Sequence, residues 1–325
     1  MKRYLVFISM LISLLTSFAS RSAEIKVSLS GKGNKSGSLL SRERPEIHVV
    51  AGDWDGATPE EIEAVLNVVA DELLAHFPET IISPIIVSPT QRNPVVLFQK
   101  SADDKYQVHL AAKGTKWAEY IYEFSHELFH ILANYQKHAP PKSSTHLWLE
   151  ESLCESASVY TLKKLSLVWA ESPARAEWAS YAPTLKQFTQ RVVGEQRHYL
   201  PAKVSLAKWI RENEVSLIND PYLRDKNALV ANLFLPLLEQ NQDWEAVAFL
   251  NTVGRIDQVP LRDYLAGWHQ RTPSEHQELT RQVMHIFESQ PLALSAKPIE
   301  KRIEESSYVE PPISTGLETP TKKPS

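Results

Sequence analysis

The chain has 325 residues, a formal net charge of −4 and 43% hydrophobic residues. That length and composition suit a globular protein of one large or two small domains, and the near-balanced charge excludes an electrostatic hold on nucleic acid. A single cysteine, Cys154, excludes an internal disulfide.

The chain opens with Lys2 and Arg3, then a mostly apolar run from 4 to 15, too short to span a membrane. Ser17 and Ala19 supply small residues at the −3 and −1 positions of a cleavage site. This pattern predicts a secretory signal peptide over 1–19, and hence a periplasmic or secreted protein with no stable membrane span once the signal is removed. No cysteine lies nearby to take a lipid anchor. Residues 20–45 are polar and glycine-rich, which predicts a flexible lead-in with one edge strand at 24–29.

Ile47, Val49 and Ala51 alternate with polar neighbours, a strand signal. Thr58-Pro59-Glu60-Glu61 has the order of a helix start: Thr as N-cap, Pro next, Glu at the third position. Apolar residues at helical spacing then carry that helix from Ile62 to about Phe77. Three Val- and Ile-rich strands are predicted at 81–87, 94–99 and 106–112, separated by turn residues.

Residues 117–135 read W-A-E-Y-I-Y-E-F-S-H-E-L-F-H-I-L-A-N-Y. Trp117, Ile121, Phe124, Leu128, Ile131, Leu132 and Tyr135 recur at three- and four-residue steps, which predicts a helix with one broad apolar face. His126 and His130 are four apart on that helix, so both imidazoles can point at one ion. Glu127 lies about 100° round from His126, within reach of a water beside that ion. A second helix carries Leu147-Trp148-Leu149-Glu150-Glu151-Ser152-Leu153-Cys154-Glu155. Glu151 and Glu155 share a face, and neighbouring carboxylates on a half-buried helix call for a positive partner. Cys154 reads as a small buried filler.

After 160 the chain is helical throughout, with helices predicted at 161–171, 174–193, 203–213, 225–240, 242–253, 259–270 and 273–289. Breaks fall at Pro173, Pro201, Pro221, Pro260 and Pro273, and Pro183 and Pro236 interrupt two helices. The composition from 291 to 325 predicts a disordered tail. The fold class is therefore α+β: an α+β region at 46–160 that carries the candidate metal-binding helices, then a helical region at 161–290.

H-E-L-F-H followed about twenty residues later by W-L-E-E-S-L-C-E resembles the gluzincin metallopeptidases, the thermolysin-like and alanyl-aminopeptidase-like enzymes. The resemblance covers about residues 106–160. It implies one Zn2+ per chain, held by His126, His130 and Glu151, with Glu127 as general base and a peptide or protein as substrate. It implies Glu155 as the carboxylate that orients the first ligand histidine, with Glu150 as a further supporting group. It implies a Tyr or His some sixty or seventy residues past the third ligand as oxyanion donor, which points to Tyr222 over Tyr181, Tyr199 and His198. It also implies that the strand before the first helix, 106–112, lies at the edge of the cleft and pairs with extended substrate. His109, His138 and His146 read as surface histidines. The metzincin pattern is excluded, because Ala133 and Gln136 stand where it needs Gly and His. The aminopeptidase G-x-M-E-N segment is missing: His109 to Gly114 contains no acid. Two other readings use the same residues: a degenerate relative that binds zinc or peptide without turnover, and a helical interaction protein in which H-E-L-F-H is accidental.

Overall fold

The computed structural model describes residues 44–137, 146–195, 199–252 and 259–288. The signal peptide, almost all of the lead-in, His138, His198 and the tail lie outside the described residues.

The described chain is α+β, a small sheet followed by a larger helical part. β1 (Ile47–Val49) and β2 (Ile85–Pro89) pair in parallel, with Ile47 opposite Ile85. β4 (Tyr106–Leu110) pairs in parallel with β2, and β3 (Val95–Val96) pairs antiparallel with β4. The order β1-β2-β4-β3 makes the 106–110 strand internal. This corrects the expectation for 106–112: the exposed edge on that side belongs to β3. The reason lies in the loop between β2 and β4, which folds back as a two-residue strand and takes the edge.

α1 (Pro59–Leu74) joins β1 to β2 and begins with a complete capping box. The Thr58 hydroxyl accepts from the Glu61 amide at 3.2 Å, and the Glu61 carboxylate accepts from the Thr58 amide at 2.9 Å. Two of the helix's orphan donors are thereby satisfied. Ile62, Val65, Leu66, Val69 and Leu73 are fully buried, at the three- and four-residue spacing that lays one face on the sheet and on α2.

α2 (Trp117–Leu132) and α3 (Leu147–Glu171) pack against each other. α3 is the centre of the protein, with neighbours α2, α4 (Ala182–Gly194) and α6 (Arg224–Gln240). It runs unbroken for 25 residues, so the division drawn at 160 falls inside one helix. Pro183 does split the helix predicted at 174–193: a 3-10 turn at Ala176–Ser180 precedes α4. Pro236 instead stays inside α6.

The N-terminal half of α3 is buried all round, so it must satisfy its polar side chains locally. Ser152, Ser158 and Thr161 each donate to the carbonyl four residues back, and Ser156 donates across to Ala231 of α6 at 2.6 Å. The remaining polar residues of α3's first turns, Glu150, Glu151 and Glu155, are buried on the site side. α5 (Leu206–Asn219), α7 (Leu261–Arg271), α8 (Gln277–Glu288) and a 3-10 segment (Glu245–Thr252) complete the helical part. Trp244 ties it to the first half. Its ring stacks on His76 at 3.9 Å and its amide donates to the His76 carbonyl.

Candidate metal centre

α2 brings His126, Glu127 and His130 to one place, and α3 brings Glu150, Glu151, Cys154 and Glu155 opposite them. The Nε2 of His126 lies 3.2 Å from one oxygen of Glu151, and the Nε2 of His130 lies 3.5 Å from the other. One carboxylate thus faces both imidazoles through the ring atoms that remain free for an ion.

The other ring nitrogens face carboxylates as well. His130 Nδ1 lies 2.6 Å from Glu150 Oε1, and Asn251 donates to Glu150 Oε2 at 2.7 Å. Glu150 therefore orients His130, held in turn from the 3-10 segment. His126 Nδ1 is 3.9 Å from Glu155, too far for a hydrogen bond. Glu155 is held instead by the Tyr122 hydroxyl. Glu155 sits beside the first histidine, but the carboxylate hydrogen-bonded to a ligand ring through its Nδ1 is Glu150.

Glu127 is buried, and the amide of Val96, on the edge strand, donates to its carboxylate at 2.7 Å. In the antiparallel pairing Leu97 donates to Gln107, so the Val96 amide points away from β4 and towards the site. Burial raises the Glu127 pKa, with His126, His130 and the Val96 bond pulling the other way. Burial also acts to lower the His126 and His130 values, but Glu151 outweighs it at His126, and Cys154 with Glu151 and Glu150 outweighs it at His130, so both are raised. Glu151 is the counterpart: burial raises its pKa, yet His130 and His126 bring it net below the usual value.

Cys154 was read as filler, yet the structure brings it into the cluster. His126, His130 and Cys154 form a group, among the described residues, whose ligand atoms all lie within 4.8 Å of one another. Bond lengths of about 2.0–2.3 Å at the tetrahedral angle put a zinc ion's donor atoms about 3.3–3.6 Å apart. The Glu151 contacts, 3.2 and 3.5 Å through its two oxygens, lie close to that spacing. The donor set, imidazole with carboxylate and thiol, is one that suits zinc.

Tyr222 precedes α6 and is exposed. Its pKa is raised by partial burial of the phenol oxygen, then by the charge of Glu151, while His130 pulls it down. The phenol is therefore within electrostatic reach of the cluster. Its rivals are otherwise occupied: the Tyr181 oxygen accepts from the Ala118 amide at 3.2 Å, and Tyr199 donates to Val193. His109 lies on internal β4. His146 is corrected from surface to core: it is buried at the start of α3 and bonded to the Val259 carbonyl at 2.7 Å.

Three members of the site were missed by sequence reading. Tyr122 carried a usable signal, since it stands four residues before His126 on the same helix face. Asn251, 101 residues from Glu150, and the Val96 amide carried none, because tertiary packing alone brings them in. Comparison with protein-family models, curated proteins and solved structures finds no match for this chain.

Proposed function

We propose that the chain is a zinc-dependent peptidase of gluzincin type. The observation that carries this reading is the facing of both Nε2 atoms by the two oxygens of Glu151, at 3.2 and 3.5 Å, with the Glu127 carboxylate on the same helix turn. His126, His130 and Glu151 would hold the ion. When bound, a zinc ion supplies Lewis acidity, polarising a carbonyl and making a water acidic enough to give hydroxide near neutral pH.

The protein's own groups do the rest. Glu127 takes the proton from the attacking water and passes it to the leaving amine. Its burial favours that role, because a carboxylate shielded from solvent is a stronger base than a solvated one. Tyr222 donates its hydroxyl to the oxygen that gains charge as the carbonyl is attacked. Glu150 keeps the His130 proton on Nδ1, which leaves Nε2 free as a donor atom. The exposed edge of β3, with Val95 41% accessible, supports docking of an extended peptide beside Glu127. A peptide or protein is the proposed substrate, and that edge supports it. Export is part of the proposal, supported by the basic and apolar N-terminal run.

Metal analysis of the purified chain, joined to an unbiased peptide-library digest of the wild type and Glu127→Gln, tests the proposal. A peptidase retains its zinc in the variant and loses hydrolysis. A zinc-loaded wild type that cleaves nothing identifies a binder without turnover. A metal-free chain leaves only a helical interaction protein.

A further inference from the structure

We propose that Cys154 is a ligand of the metal at rest, so that His126, His130, Glu151 and Cys154 together close its coordination shell; this rests on the reading of the cluster as a zinc site. Three observations carry it. Cys154 is fully buried, so its sulphur is offered only to groups inside the protein. It stands three residues after Glu151 on α3, on the helix face turned towards α2. Its sulphur and one ring nitrogen of each histidine lie within 4.8 Å of one another. The tetrahedral spacing of about 3.3–3.6 Å is reached by a closure of about an ångström, within what side-chain rotation supplies.

A filler at this position needs only volume, which an alanine or serine provides. A thiol brings a soft donor with a preference for zinc and cadmium over manganese or magnesium. As the sulphur–metal bond forms, the thiol proton leaves to solvent. Four protein ligands make a closed site. Water then gains its place only when the sulphur leaves, so Cys154 acts as a latch on the resting centre. The latch also sets which metals are retained.

The test loads the purified full chain, and its Cys154→Ser variant, with Co2+ and records the absorption spectrum. The wild type is expected to show a sulphur-to-cobalt charge-transfer band in the near ultraviolet. The variant is expected to bind cobalt without that band, and to lose zinc to a competing chelator more readily by over about tenfold. Cobalt bound by the wild type with no charge-transfer band overturns the proposal and leaves the zinc site standing. A wild type that takes up no cobalt overturns both. Should the variant fail to fold, the 113Cd resonance of the cadmium-loaded wild type decides alone: a shift in the sulphur-ligated range supports the latch, and one in the nitrogen-and-oxygen range overturns it.

Discussion

Replacing Asn251 by Ala tests whether the helical part steers the metal centre. Glu150 is 2% exposed and has one oxygen on His130 Nδ1 at 2.6 Å and the other on Asn251 Nδ2 at 2.7 Å. The substitution strips the second oxygen of its donor inside the core. A hydrogen bond to a charged group contributes about 1.5–3 kcal/mol, and a buried acceptor left without a partner carries its desolvation cost as well. A loss of about 2 kcal/mol in folding stability is therefore expected. Part of it reappears in metal binding, because a Glu150 free to turn no longer fixes the proton and angle of His130. Loss of such a supporting group typically weakens metal affinity by about 10–100-fold. The assay is urea unfolding of the metal-free chain, paired with zinc competition against a calibrated chelator. A Glu150→Gln, Asn251→Ala double-mutant cycle then measures the coupling between the two. If Asn251→Ala shifts neither the midpoint nor the zinc affinity by more than twofold, the chain from Asn251 through Glu150 to His130 plays no part.

Other outcomes follow from the same geometry. Glu151→Ala should strip the zinc, measured by metal content after dialysis; unchanged content would mean that another residue is the third ligand. Tyr222→Phe should lower kcat by about 10²–10³ with KM little changed, the loss typical of one oxyanion donor, and a kcat within threefold of wild type would remove Tyr222 from the mechanism. His76 is buried between Trp244 and Tyr160, and burial lowers its pKa from 6.5. The unfolded chain then binds the proton more readily at this site, so His76 should contribute a fall in the urea midpoint as pH drops below about 6.5, a contribution that levels off below the depressed value. His76→Gln should remove that part of the slope, and an unaltered slope would refute the assignment. Thr58→Ala removes the capping hydroxyl of α1 and should cost about 1 kcal/mol, read as a shift in the same midpoint.

The pairing of the two histidines was legible because helix geometry is periodic: residues four apart must share a face, whatever the rest of the chain does; Glu151 was singled out as a ligand by the motif resemblance rather than by the helical period. The capping box at Thr58 was legible for the same local reason. The strand at 106–110 and strands overlapping both of its neighbours were found, but the order in which they pair was not. Pairing order depends on where the 90–98 loop turns back, and no local pattern encodes that. His146 misled because a histidine beside prolines reads as loop, whereas α3 begins there and packs it against Tyr264, with ring centroids 4.8 Å apart.

By itself, then, the sequence determined which side chains two helices could present, since backbone hydrogen bonding sets the helical repeat within a few residues. Tertiary structure alone decided that β3 takes the sheet edge and turns the Val96 amide on Glu127, that Asn251 holds Glu150, and that Cys154 faces the imidazoles. Those contacts join segments far apart in the chain. They are set by how buried surfaces close on one another, a property of the whole packed core that no short stretch contains.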